Sequence, residues 1–121
     1  YLIAAEASAK LNDKAAAAKY LNAIVQRANP KATPVSEADA TVDRILIERR
    51  KELVGEGHRF FDAMRNNQTI VRYTDEAKKG YHYTLTMPQS RKFDRTYFRI
   101  VLPIPEAETD ANADIKQNPG Y

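Results

Sequence analysis

From Leu2 to Ala28 the chain is built almost wholly of strong helix formers, broken only at Asn12-Asp13 and closed by Asn29-Pro30. No other stretch restricts the fold as much. Alanine loses no side-chain entropy on entering a helix, so an alanine-rich run favours that state before any tertiary contact is made. Ile3, Ala7 and Leu11 recur at helical spacing, as do Ala17, Leu21, Ile24 and Ala28. Residues 1–11 and 14–28 are therefore expected to be two helices with those stripes turned inward. A two-residue break makes them antiparallel, and small alanines let their axes come close. Asn29 precedes a proline and is pushed out of the α region, which ends the second helix. The unit has the size of a tetratricopeptide hairpin, although that consensus is poorly met and one hairpin is not a repeat array.

Residues 31–38, with Pro34, read as a loop. A third helix is expected from near 36–41 to about Val54, burying Val42, Ile45, Leu46 and Leu53, with Gly55 and Gly57 at its end or at a kink. A shorter helix from His58 to about Asn67 carries Phe60, Phe61 and Met64 as its apolar residues. Across 68–99 the periodicity fades, and Gly80, Pro88 and the Tyr83-Thr84-Leu85-Thr86 run suggest an irregular segment with room for a short hairpin. Residues 100–105 are expected as a buried extended strip, because Pro103 and Pro105 exclude helix. Pro105 is then placed to be the first residue of a short helix over 106–112. The expected class is mainly α: a tetratricopeptide-like hairpin plus further helices, with an irregular or short-hairpin segment near 68–100.

At 121 residues the chain is long enough to bury roughly two thirds of its unfolded surface. Its 43% hydrophobic and 29% charged composition is that of an ordinary soluble globular domain. Nineteen basic against sixteen acidic residues give a formal charge of only +3, and the two signs are interleaved, which disfavours nucleic acid as a partner. No apolar run approaches the roughly 20 residues needed to span a bilayer. The lack of cysteine excludes disulfides and thiolate metal sites, and no cofactor is implied. The chain opens on Tyr1-Leu2-Ile3-Ala4 already inside a helical pattern, with neither Met nor a capping residue before it. It is thus expected to be the C-terminal piece of a longer protein, any signal peptide or lipid-anchor cysteine lying upstream.

Residues 48–65, ERRKELVGEGHRFFDAMR, concentrate charge. Glu48, Glu52 and Glu56 are four apart, so in a continuous helix they would share one face, and paired carboxylates are the raw material of acid–base chemistry. Arg49, Arg50, Lys51, Arg59 and Arg65 lie within a turn or two, however, and nearby cations lower carboxylate pKa values rather than raising one for general-acid work. His58 and His82 are 24 positions apart with no metal-ligand spacing, and no nucleophile elbow is present. A structural ion-pair brace made of Glu48, Arg49, Glu52, Glu56, Arg59, Asp62 and Arg65 fits better. Arg44 and Glu48 form an i,i+4 pair, and Arg59 and Arg65 each stand three residues from Asp62. No catalytic residue and no metal ligand is expected.

Five motifs follow one another in order. They are Tyr1-Leu2-Ile3-Ala4-Ala5-Glu6-Ala7; Tyr20-Leu21-Asn22-x-Ile24-Val25-x-Arg27-Ala28; Ile45-Leu46-x-Glu48-Arg49-x-x-Glu52-Leu53-x-Gly55-Glu56-Gly57-His58-Arg59-x-Phe61-Asp62-x-x-Arg65; Leu102-Pro103-Ile104-Pro105-x-x-Glu108; and Asn112 with Gln117-Asn118-Pro119-Gly120-Tyr121. That order and spacing resembles the C-terminal end of the SusD/RagB family of outer-membrane nutrient-binding lipoproteins, and 68–99 is the segment of poorest match. The departures, Ala63 and Met64 where a Leu is usual and Phe60 where a Trp is common, fall on positions that look like packing.

The resemblance implies a helical protein on tetratricopeptide-like hairpins, lipid-anchored at the surface of Bacteroidetes-type bacteria. It would sit over a SusC-like, TonB-dependent transporter and capture oligosaccharide or polysaccharide, or in some members peptides, without performing chemistry. Six of the eleven aromatic residues fall between Tyr73 and Phe98, which puts the candidate ligand residues in this part of the chain. Tyr81 and Tyr83 alternate across His82, so in an extended segment both rings would project to one side and could stack on pyranose faces. Arg91, Asp94 and Arg95 could supply donors and acceptors. Packing of these aromatics onto the helices is the competing expectation, and the family's ligand site draws largely on loops upstream. A protein-interaction scaffold and a carboxylate-based hydrolase are the readings from other classes.

Overall fold

The computed structural model describes residues 1–72 and 91–121. They divide into two compact units, residues 1–59 and 60–121. Among the described residues no helix is long and apolar enough to cross a membrane.

The first unit is helical: α1 (Leu2–Lys10), α2 (Lys14–Ala28) and α3 (Val42–Glu52). The turn between α1 and α2 is a Schellman motif. Asn12 adopts the left-handed conformation at φ 62°. The Asp13 N–H donates to the Ser8 carbonyl at 2.9 Å and the Asn12 N–H to that of Ala9 at 3.1 Å. Asp13 then caps α2, its side chain accepting from the Ala16 N–H at 3.0 Å. Two consecutive polar residues thus close one helix and open the next. α1 packs on both α2 and α3. The core is Leu2, Ala5, Ala17, Ala18, Leu21, Val25, Ala40 and Ile45. Leu21 and Ile45 are its largest fully buried side chains.

Two expectations about this unit change, and a third is sharpened. The buried stripe of α1 is Leu2 and Ala5, with half-buried Ala9, whereas Ile3 and Leu11 are 77% and 82% exposed. Packing on α2 and α3 selects one of two apolar stripes that the sequence carries side by side. In α2 the buried set is Ala17, Ala18, Leu21 and Val25, Ile24 being half-buried and Ala28 exposed. Residues 36–40 form a hydrogen-bonded turn, in which the Ser36 hydroxyl donates to Asp39 at 2.6 Å. Helix α3 starts only after Thr41, whose Oγ1 accepts from the Arg44 N–H at 3.2 Å. Side-chain amide chemistry holds the loop before it: Asn22 accepts from the Val35 N–H at 2.7 Å and donates to the Val35 carbonyl at 2.9 Å.

Helix α4 (His58–Arg65) ends on a second left-handed asparagine, Asn67 at φ 55°. The Gln68 N–H donates to the Ala63 carbonyl at 2.8 Å there, repeating the first cap. The residues that α4 buries are Asp62 and Ala63, while Phe61 is 67% exposed, so the expected apolar face is not the one that is covered. In the second unit, β1 (Ile70–Val71) pairs antiparallel with β2 (Lys92–Phe93), Ile70 opposite Phe93 and Val71 opposite Lys92. A single 3-10 turn (Phe98–Ile100) and α5 (Glu106–Ala111) follow. Residues 101–105 are extended as expected but not buried: Val101 and Leu102 are 58% and 79% exposed. Pro105 stands at the N-cap of α5, one residue earlier than expected.

Candidate functional site

Glu48, Glu52 and Glu56 do not share a helix face. Helix α3 stops at Glu52, and Gly55 and Gly57 take left-handed φ values of 82° and 75°, which turn the chain away before Glu56. Glu48 is buried and accepts from Arg44 Nη1 at 2.6 Å and Lys51 Nζ at 3.3 Å. Burial alone would raise its pKa, but the hydrogen bonds and charges of Arg44 and Lys51 outweigh it and hold the carboxyl below its ordinary 4.5. That is the opposite of what a general acid requires. Glu52 takes both oxygens to Arg27 Nη2, 25 residues away on α2, at 2.5 and 2.6 Å. Glu56 is exposed in the turn, 3.8 Å from His58 Nε2. Glu48 and Glu52 thus each have their own cationic partners. Arg49 is buried on α3, and Arg59 is half-buried in the first turn of α4. Asp62 is 4% exposed, and its Oδ1 accepts from Arg65 Nε at 3.1 Å and Nη2 at 2.6 Å. Among the described residues no three His, Cys, Asp or Glu side chains are grouped to hold a metal ion.

The C-terminal motif works as a clamp. Gln117 accepts from the Ile104 N–H and donates to the Ile104 carbonyl, both at 2.8 Å. Asn118 Nδ2 donates to the Leu102 carbonyl at 2.7 Å, and the Tyr121 hydroxyl to that of Val101 at 2.9 Å. These side chains do for 101–104 what a neighbouring strand would do, satisfying polar backbone that Pro103 and Pro105 keep out of a ladder.

Tyr81 and Tyr83 lie outside the described residues. Of the polar residues flagged with them, Arg95 is exposed, Arg91 is half-buried, and Asp94 enters a cleft in the second unit. The cleft has a volume of about 640 Å³. Its apolar wall is Phe93, Tyr97 and Phe98, and its polar rim is Thr69, Lys92, Asp94 and Thr96. Ring centroids are 5.8 Å apart for Phe93–Tyr97 and 5.2 Å for Tyr97–Phe98, with planes tilted by 42° and 66°. Behind the cleft Phe98 meets Tyr121 edge-on at 5.3 Å. Asp94 Oδ1 accepts from both the Thr96 N–H at 2.8 Å and the Thr96 hydroxyl at 2.6 Å. The Asp-x-Thr spacing that produces this turn is visible in the sequence. The convergence of its neighbours with Thr69 on one cleft depends on the β1–β2 register and is not.

The profile of the SusD family matches residues 1–121, the whole chain. A solved SusD superfamily protein from Bacteroides vulgatus ATCC 8482 is 50% identical, superposes with a TM-score of 0.83, and is matched over 100% of this chain and 26% of its own. A solved candidate sugar binding protein from the same strain is 45% identical, with a TM-score of 0.80, matched over 100% of this chain and 27% of its own. The chain therefore spans about a quarter of the length of these solved relatives. No curated protein matches it significantly. A family profile that runs through both units, joined to solved relatives of the same mainly helical fold at half sequence identity, identifies the chain as a member of the SusD family.

Proposed function

We propose that this chain is the C-terminal part of a SusD-like nutrient-binding protein. In this reading the full-length protein captures a glycan at the outer-membrane surface and passes it, chemically unchanged, to a SusC-like TonB-dependent transporter. A lipid anchor outside this segment would hold it at the membrane. The supporting observation is family membership over the whole chain together with 45% identity to a candidate sugar binding protein. We further infer that the charged cluster at 48–65 is structural, because Glu48, Glu52 and Asp62 are each held by arginine or lysine rather than left open to a substrate.

Calorimetric titration of the full-length protein with neutral oligosaccharides, acidic oligosaccharides and peptides tests the reading. Binding of an oligosaccharide at micromolar to millimolar dissociation constants, with the same oligosaccharide recovered intact, is the expected result. Binding of peptides alone would assign the protein to peptide capture, and turnover of the sugar would make it a hydrolase.

A further inference from the structure

We infer that the cleft walled by Phe93, Tyr97 and Phe98 is a subsite for one pyranose unit of the captured glycan. The inference rests on the carbohydrate reading above and names where, within this chain, a sugar is held. Four properties of the cleft point the same way.

Its size comes first: about 640 Å³ falls inside the roughly 300–1,000 Å³ range of small-molecule pockets. The second property is the wall. Phe93, Tyr97 and Phe98 are tilted rather than parallel, so they present apolar faces in more than one direction. A pyranose carries apolar C–H patches on its ring faces and hydroxyls around its edge, and a corner of aromatic rings can cover the patches while leaving the edge to polar groups. Phe98 is also fixed from behind by Tyr121 and by Gly120. A Cβ at position 120 would lie 2.7 Å from the Phe98 ring, so the glycine is what allows that close seating.

The rim is the third. Thr96 commits both its N–H and its O–H to Asp94 Oδ1, which fixes the carboxylate, and Asp94 Oδ2 accepts nothing from the described residues. The Lys92 ammonium likewise has no ion-pair or hydrogen-bond partner among the described residues, and it stands two positions away on β2. One immobilised acceptor and one open donor over an aromatic wall match the vicinal hydroxyls of a sugar. The Thr96 hydrogen bonds also lower the Asp94 pKa, which favours its ionised, accepting form.

Incomplete packing is the fourth. If the aromatic cluster were packing alone, it would close on itself; here it leaves an open cleft, and Phe98 remains 38% exposed.

The test uses the full-length protein and a panel of maltohexaose, cellohexaose, xylohexaose and mannohexaose, with an oligogalacturonate as the acidic probe. Wild type is expected to bind at least one member. Asp94→Ala and Lys92→Ala should each weaken that binding by roughly tenfold or more, the usual effect of losing a hydrogen bond to a charged group. Lys92→Ala removes no bond seen among the described residues, so it separates lost recognition from a disturbed Asp94–Thr96 turn. Arg95→Ala, exposed and outside the cleft, should leave affinity within twofold. If wild type binds a sugar and both variants bind it equally well, the subsite is wrong while the glycan reading stands. Failure to bind any sugar removes the glycan reading and the subsite together.

Discussion

Asp62 and Glu48 are acids held almost out of solvent by cations whose own side chains reach it. Removing the acid loses the hydrogen bonds it accepts from them. Asp62→Ala is expected to lower stability by about 1–3 kcal/mol, the cost of losing hydrogen bonds to a charged group, and to change ligand affinity less. Scanning calorimetry beside the binding titration checks this; an unchanged melting point with lost binding would overturn the structural role. Glu48 adds a pH signature. Its folded pKa lies below the ordinary 4.5, so folding binds fewer protons than the unfolded chain there. Its contribution is complete above that ordinary value and is lost as pH falls through the lowered one. The melting-temperature gap between wild type and Glu48→Gln should hold through neutral pH and close in acid below 4.5. At Gly120, φ is 95° and the space for a Cβ is taken by Phe98. Gly120→Ala should therefore loosen the clamp, read as faster amide exchange at Ile104, whose N–H Gln117 accepts.

At the scale of elements, α1 shows how an alanine-rich helix hides its orientation. Leu2, Ala5 and Ala9 form one apolar stripe and Ile3, Ala7 and Leu11 another, and both obey helical spacing. Periodicity alone does not choose between them, because the hydrophobic contrast around such a helix is low. The helix packs with the first stripe, since that side meets α2 and α3. Urea unfolding of the 121-residue chain should show it. Leu21→Ala, at a fully buried position, should cost about 2–5 kcal/mol. Ala17→Leu should also destabilise, by about 1–3 kcal/mol, because a larger side chain has no room at a 0% exposed site. Ile3→Ser should stay within about 0.5 kcal/mol. A large loss at Ile3 with none at Ala17 would reverse the orientation of α1.

For the molecule as a whole, the motifs that resemble the family are tied into the fold by contacts beyond themselves. The Gln117-Asn118-Pro119-Gly120-Tyr121 motif holds residues 101–104, and acids of the 48–65 cluster pair with Arg27 and Arg44 outside it as well as with Lys51 and Arg65 within it. The residues lining the cleft all fall within the segment of poorest match, 68–99, which is where ligand-specific variation would be expected in a binding protein with a retained scaffold. Swapping residues 92–98 between this protein and a relative of different sugar preference should carry preference with it if the cleft reads the sugar; unchanged preference would place specificity elsewhere.

What the sequence determined by itself was the local structure. Helix formers, the Asn12-Asp13 cap, Asn29-Pro30, the glycines after α3 and the Arg44–Glu48 pair all act within a few residues, so neighbours along the chain suffice to specify them. What only the tertiary structure decided was every choice among equivalent local options. It selected the stripe that α1 buries, brought Arg27 to Glu52 across 25 residues, left Val101 and Leu102 exposed while clamping their backbone, and set Thr69 beside the aromatic wall. The reason is physical: burial and ion pairing depend on which surfaces meet in space, and residues far apart in the chain carry no local signal of that meeting.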